Sequence, residues 1–302
     1  MANSDPLSIR QLEVFVALDD QGSFTRAARH LSLSQSTVSG HIADLERRLG
    51  VRLVDRDRGG VRPTAAGRAL LRPARQVLQA ERNARMAIES LSGLLSGTLV
   101  VGGSTTPSSY FLPSIFAGFH ARYPGIALQL VTGDSRDIAE RVRSAGVEVA
   151  VAGAPPGSDD LFSAKIGEDQ MLLVVGPNHA LAGRDRIAAE DLADHYLVVR
   201  EEGSGTRSAI DGALRELLGP GPFARLRVAC EVGSTEAVKA AVREGLGAAF
   251  TSNLAVKDEL KSGALVAVGV DGFEVSRGFY LVTREESLLG PAAKAFRDFC
   301  LE

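Results

Sequence analysis

Two cysteines in 302 residues, Cys230 and Cys300, lie far apart and form no C-x-x-C pair. Both sit in apolar surroundings, which predicts free, buried thiols and excludes a disulfide framework or a zinc knuckle. The five histidines, His30, His41, His120, His179 and His195, show no ligand spacing with cysteine or carboxylates, so no metal site is expected. The chain lacks G-x-S-x-G, G-x-G-x-x-G and Walker-type loops, and no Ser/His/Asp arrangement stands out. These absences predict a protein that is not an enzyme and carries no cofactor. No apolar run reaches membrane-spanning length or precedes a cleavage site, so a cytoplasmic protein without a membrane partner is expected.

What is present is a division of charge. The net charge of -3 is small, yet residues 1–91 hold fourteen arginines against ten carboxylates, and the remainder twenty basic against twenty-seven acidic residues. Residues 21–75 alone carry eleven arginines against four acids. A basic segment on an otherwise acidic chain suggests that one part meets a polyanion. A solvated arginine-rich surface would look the same, so the pattern within the segment decides.

That pattern is helical. Phe24, Ala27, Ala28 and Leu31 recur at three- and four-residue spacing, after Ser23 in an N-cap position. Leu33-Ser34 interrupts, Ser34 can cap a second helix, and Val38, Ile42, Leu45 and Leu49 mark its buried stripe. Two short amphipathic helices joined by a tight turn predict a helix-turn-helix. Ser34, Gln35, Ser36, Thr37, Ser39 and His41 are the candidate DNA contacts on the second helix, with Gly40 on the same open face. Val51–Val54 and Val61–Pro63 flank DRDRGG, a hairpin tip at Asp57–Gly60. The resulting wing offers Arg52 and, as candidate phosphate or minor-groove contacts, Arg56, Arg58 and Arg62.

The run QLEVFVALDDQGSFTRAARHLSLSQSTVSGHIADLERRLGVRLVDR, followed by RPTAAGRAL, resembles the winged helix-turn-helix of LysR-type transcriptional regulators, and the length and later organisation fit that family throughout. The resemblance implies a regulator that binds double-stranded DNA at an interrupted inverted repeat, with a homodimer or homotetramer as its assembly and RNA polymerase as a further candidate partner. It implies a mixed α and α/β fold: an N-terminal winged helix-turn-helix (1–64), a linker helix (65–92) and a C-terminal bilobal, periplasmic-binding-protein-like α/β effector domain (93–302). Lobe I would take about 98–162 and 269–302, and lobe II about 167–264. Gly40 departs from the family, which often has a larger, frequently basic residue there.

Leu7–Asp20 carries a helical stripe that would brace the helix-turn-helix, with Ser8 as its cap. Thr64 can cap a long helix from Ala65 to about Leu91. Within it Leu70, Val77, Ala84 and Leu91 recur at seven, with Ala74 and Ile88 beside them. This predicts a coiled-coil-like dimer seam, and Pro73 predicts an early kink. Ser92–Gly97 reads as a hinge. Strands and helices then alternate, which predicts parallel sheets, with hinge strands expected near Phe162–Ile166 and Leu265–Val268.

Three strand-to-helix junctions, at 103–106, 203–207 and 233–235, are rich in glycine and hydroxyls. Any one alone is ordinary helix capping. Three beyond the C-terminal ends of strands predict a ligand site. The candidate effector contacts are Ser104, Thr105, Thr106, Gly203, Ser204, Gly205, Thr206 and Arg207. Helix N-termini and short hydroxyls suit a compact anion. By resemblance to sulfur-assimilation regulators, sulfate, sulfite or thiosulfate come first and a small carboxylate second. A small-molecule binding or transport protein without a DNA role is the alternative.

Overall fold

A computed structural model describes residues 6–57, 60–90 and 95–302. The chain divides into two compact units, one holding Met1–Leu94 and the other Leu95–Arg143 with Val147–Glu302.

The first unit opens with helix α1 (Ile9–Gln21), where the Ser8 N–H donates to Gln11 Oε1 at 3.3 Å. Gly22, at φ +60°, ends the helix in the left-handed region that favours glycine. Helix α2 (Phe24–His30) follows, then α3 (Gln35–Leu49). The Ser34 side chain accepts from the Thr37 N–H, as expected of a cap. Val14, Phe15, Leu18, Phe24, Ala27, Ala28, Val38, Ile42 and Leu45 form one core with Leu53 and Val54. Strands β1 (Val54–Asp57) and β2 (Gly60–Pro63) pair antiparallel as the wing. Glu46 anchors it to α3, its carboxylate accepting from the Leu53 N–H at 2.7 Å and the Val54 N–H at 3.2 Å.

Helix α4 (Ala65–Ser90) runs through Pro73 without interruption. Its expected seam is divided. Ala74 and Leu78 are buried against Leu12 of α1, with Leu70 alongside, and Arg75 bridges to Asp19 and Asp20. The N-terminal half thus packs on its own unit, because Leu70, Ala74 and Leu78 form a four-residue stripe that overlaps the seven-residue one. Val77, Ala84 and Ile88 stay exposed, Ile88 at 71%; Leu91 lies outside the described residues.

The second unit contains, in order, β3 (Gly97–Ser104), α5 (Thr105–Tyr110), α6 (Leu112–Arg122), β4 (Ile126–Gly133), α7 (Ser135–Arg143), β5 (Val149–Ala152), β6 (Phe162–Val175) and β7 (Arg186–Ile187). It continues with β8 (Tyr196–Arg200), α8 (Gly205–Leu218), α9 (Pro222–Arg225), β9 (Arg227–Val232), α10 (Thr235–Arg243), β10 (Ala249–Ser252), α11 (Asn253–Ser262), β11 (Val266–Val270), β12 (Ser276–Thr283) and α12 (Pro291–Leu301). The main sheet has the order β4-β3-β5-β12-β6-β11-β7, with β10 also on β6.

The sheet is mixed, not parallel throughout. Strand β3 runs parallel to β4 and β5, but β12 and β6 run antiparallel to each other and β6 to β10 and β11; β8 and β9 form a separate parallel pair. The hinge strand expected near Phe162–Ile166 is the first part of one fourteen-residue strand, β6. Its polar middle, Glu168-Asp169-Gln170, breaks the apolar run without breaking the ladder. Its first half pairs with β12 beside β5, in lobe I, and its last five residues pair with β10 and β11, in lobe II. The second hinge strand is β12, not the Leu265–Val268 segment, which pairs inside lobe II. No helix among the described residues is long and apolar enough to cross a membrane.

Candidate DNA-reading and effector sites

Helix α3 buries Val38, Ile42 and Leu45. At 100° per residue the opposite line runs through Ser36, Gly40, Ala43 and Arg47, all exposed. A Cβ built on Gly40 meets no atom within 4 Å, so the backbone is bare at that position of the face. Ser34, Gln35, Ser36 and Thr37 gather at its N-terminus. Ser34 Oγ lies 2.8 Å from Ser36 Oγ and 2.7 Å from Thr37 Oγ1, so these hydroxyls are organised by one another. Thr25 Oγ1 donates to Gln35 Oε1 at 3.1 Å. Ser39 and His41 sit half-buried on the flanks. In the wing Arg62 is exposed. Arg56 lies in β1 by its backbone, and Arg58 falls outside the described residues. Ala43 and Arg47 share this face by helical phase, and Arg47 is ion-paired with Asp44 one turn before it.

In the second unit the three junctions meet between the lobes, but not by capping alone. Ser104 Oγ accepts the Gly153 N–H at 2.9 Å, reaching across to the end of β5 instead of capping α5. Helix α5 has six residues, too few to supply the dipole end expected after Gly103. Thr105 Oγ1 accepts from Arg200 at 3.1 Å, and Thr106 Oγ1 lies 3.2 Å from Thr235 Oγ1. Thr206 Oγ1 accepts from Arg277 at 2.5 Å. Ser204 and Ser234 are plain caps, accepting the Arg207 N–H at 3.4 Å and the Ala237 N–H at 3.1 Å.

Arg207 departs from expectation. It pairs with neither Glu201 nor Glu202. Its guanidinium donates to the Arg200 carbonyl at 2.9 Å and stacks 3.7 Å over the Phe223 ring, inside lobe II. The cations among the hydroxyls are two that sequence reasoning missed. Arg200 donates to Thr105 and Thr235 and pairs with Glu201 at 2.7 Å. Arg277 pairs with Asp169 at 2.9 Å, both fully buried. Burial pushes the Arg277 guanidinium below its ordinary range, opposed by Asp169. Their partners lie up to 108 positions away, so no local signal announces them.

Glycines let the lobes approach. A Cβ on Gly205, the first residue of α8, would meet the Gly153 carbonyl oxygen at 2.7 Å and Ser135 Oγ at 2.9 Å. Gly203, at φ +94°, lies against Asp134. Ser135 Oγ, at the start of α7, is buried with no hydrogen-bond partner among the described residues. Beside it opens a groove of about 550 Å³ lined by α7, Ala154–Pro156, Gly203 and Ser208. On the other flank Tyr110 hydrogen-bonds Glu236, and Lys239 reaches Tyr110 Oη at 3.3 Å and Glu259 at 2.8 Å. Burial works against the Lys239 ammonium, but bonds from Glu259 and Glu236 outweigh it and raise its pKa. No cluster of potential metal ligands occurs among the described residues.

Comparison with known proteins follows the same division. Residues 9–68 match the family described as bacterial regulatory helix-turn-helix protein, lysR family, and residues 92–302 match the LysR substrate binding domain. The RuBisCO operon transcriptional regulator of Allochromatium vinosum is 36% identical over 295 residues, covering 98% of this chain and 96% of that protein. The regulatory domain of Synechocystis PCC6803 CcmR in complex with 2-PG is 27% identical with a TM-score of 0.60, covering 68% of this chain and 96% of that one. Full-length CbnR complexed with its target DNA shares the fold, at 22% identity and a TM-score of 0.68, over 97% of this chain and 99% of that one.

Proposed function

This chain belongs to the LysR family of bacterial transcriptional regulators, and on that premise we propose which residues read DNA and which effector the lobes take. Helix α3 enters the major groove, with Gln35, Ser36 and Ser39 facing base edges, and Arg56, Arg58 and Arg62 of the wing grip phosphates or the minor groove. The bare backbone at Gly40 supports close approach to the bases. The exposed Val77, Ala84 and Ile88 face of α4 pairs two chains, and two-fold symmetry then calls for an inverted repeat.

The effector is a small anionic organic acid held between the lobes. The observation that carries this is Ser135 Oγ, a buried hydroxyl without a partner, set against Gly205 at the start of the fourteen-residue helix α8. A buried, unsatisfied hydroxyl costs about 1–3 kcal/mol, which an accepting ligand oxygen recovers. The N–H groups at the start of α8 add positive potential. Arg200 and Arg277 are already neutralised by Glu201 and Asp169, so the ligand is held chiefly by hydroxyl and amide donors. Likeness to CcmR, whose regulatory domain is in complex with 2-PG, is what puts organic acids ahead of sulfate, sulfite and thiosulfate.

Calorimetric titration of the full chain with 2-PG, a dicarboxylate and the three sulfur oxyanions tests this. Ser135→Ala is expected to weaken the best acid by roughly ten- to 150-fold, the worth of one hydrogen bond to a charged group. Unchanged binding in Ser135→Ala, or tight binding of a neutral aromatic compound alone, overturns it.

A further inference from the structure

We infer that Tyr110 clasps the two lobes together along one flank of the cleft, using protein groups alone. The strands β6 and β12 already join the lobes through the backbone. The clasp is a third link, made by side chains, and it does not depend on which effector the lobes take.

Tyr110 ends α5 in lobe I, while Glu236 and Lys239 stand one turn apart on α10 and Glu259 lies on α11, all three in lobe II. An ammonium has three protons, and Lys239 finds three acceptors. They are Glu259 at 2.8 Å, Glu236 at 3.1 Å and Tyr110 Oη at 3.3 Å. Tyr110 Oη gives its own proton to Glu236. Tyr110, Glu236 and Lys239 thus close a ring in which the phenol both donates and accepts. Lys239 Nζ also lies 5.5 Å from the centre of the Tyr110 ring.

The lobe II side of this ring is set in advance. Lys239 is buried, and a buried charge must be paired. Glu236 and Glu259 pair it from within its own lobe, so the ammonium stays in place whatever lobe I does. Tyr110 is the one member that comes from across the cleft, and it docks on a partner that is already organised, which lowers the entropy of closing.

The two flanks of the cleft differ. On the Tyr110 flank, bonds cross from lobe to lobe in series: Arg200 to Thr105, Thr106 to Thr235, and Tyr110 to Glu236 and Lys239. On the other flank Gly205 approaches Gly153 and Gly203 approaches Asp134. There Ser135 Oγ has no partner among the described residues, and Asp134 spends an oxygen on the Asp137 N–H at 2.7 Å. Parting the lobes therefore breaks bonds on the Tyr110 flank and only contacts on the other. The lobes turn about the clasped side and widen first beside the groove of about 550 Å³. Tyr110 is a positioning residue: it holds the lobes and leaves the groove to the ligand.

The experiment is hydrogen exchange on the full chain, comparing wild type, Tyr110→Phe, Glu236→Ala and the double variant. Tyr110→Phe keeps the ring beside Lys239 and removes only Oη. Exchange reports how often a covered segment opens, even when the open form is rare. Tyr110→Phe should speed exchange about two- to tenfold, the worth of one hydrogen bond, in the facing segments of both lobes, 105–111 and 234–239. Strands β3 and β10 behind them should not change. Residues that act through one link are not additive, so Glu236→Ala should accelerate 105–111 less in the Tyr110→Phe background than it does alone.

Unchanged exchange in Tyr110→Phe overturns the inference. Acceleration confined to α5 also overturns it, because that is fraying of one short helix. Acceleration that spreads into β3 and β10 would make Tyr110 a general stabiliser of the fold, and full additivity of the two substitutions would separate Tyr110 from Glu236; either result defeats the clasp.

Discussion

Two helical glycines are expected to respond to the same substitution with opposite signs. Gly40 lies within α3, and a Cβ there meets nothing within 4 Å. Replacing it by alanine relieves the entropic cost of glycine in a helix, about 0.8–1.0 kcal/mol. Gly205 opens α8, where propensity counts for little, and a Cβ there would stand 2.7 Å from a backbone oxygen and 2.9 Å from Ser135 Oγ. Alanine contacts below 3.0 Å are not sustained, so lobe I must retreat from lobe II. Overpacking of this kind costs about 1–3 kcal/mol. Because the chain has two units, a single melting curve would blend the effects. Hydrogen exchange on the full chain separates them. Gly40→Ala should raise protection across α2 and α3 about fivefold, the equivalent of about 1 kcal/mol. Gly205→Ala should lower it at the starts of α7 and α8 and in the Ala154–Pro156 loop, leaving the first unit unchanged. A fall in α3 protection for Gly40→Ala, or unchanged exchange for Gly205→Ala, would refute the reasoning from open and occupied space.

Asp169→Asn strips the fully buried Arg277 of its countercharge and should destabilise the second unit by about 3–5 kcal/mol, read as a lower denaturant midpoint; a loss below 1 kcal/mol would mean that Arg277 finds another partner. Ile88→Asp, at a position 71% exposed, should convert a dimer to monomer in light scattering at micromolar concentration, and an unchanged mass would clear the exposed α4 face of any role. The His179 pKa is depressed by burial and by the charge of His195, 5.2 Å away between ring centroids. With the folded value below the unfolded one, this group's contribution is present above the ordinary histidine range and is lost as pH falls through the folded value. His179→Gln should flatten that acidic decline. Burial pushes the Cys300 thiol up to about 12, so an alkylating reagent at pH 8 should modify it only after unfolding, as intact mass spectrometry would show.

Legibility in the sequence tracked the reach of each interaction. The helix-turn-helix was readable nearly to the residue, because the Ser34 cap and the Val38, Ile42 and Leu45 stripe are local facts about one turn of chain. Helix α4 was readable as a helix but not as to its neighbours, since two apolar repeats overlap on it and only packing shows that Ala74 faces Leu12. In the second unit the glycine- and hydroxyl-rich junctions were found, yet their partners were not. Thr206 meets Arg277 from 71 positions away, and Thr106 meets Thr235 from 129. The antiparallel return of β12 escaped for the same reason: alternation of strand and helix reports composition along the chain, not the direction in which a later strand comes home.

The continuity of β6 makes it a torsion bar. A chain that crossed between lobes through loose coil could swing freely, but β6 is laddered to β12 and then to β10 and β11 along its length. Rotation of one lobe against the other must be absorbed as added twist in the strand itself. The place for it is marked: the β12 register slips between Phe279 and Tyr280, opposite Gly167 and Lys165, and such irregularities concentrate twist. Gly167 has no room for a side chain, since a Cβ there would stand 2.6 Å from the Phe111 ring. Angular stiffness in the effector unit is thus written into two hydrogen-bonded ribbons, and stepwise widening of that one irregularity would retune how far the lobes turn for a given ligand.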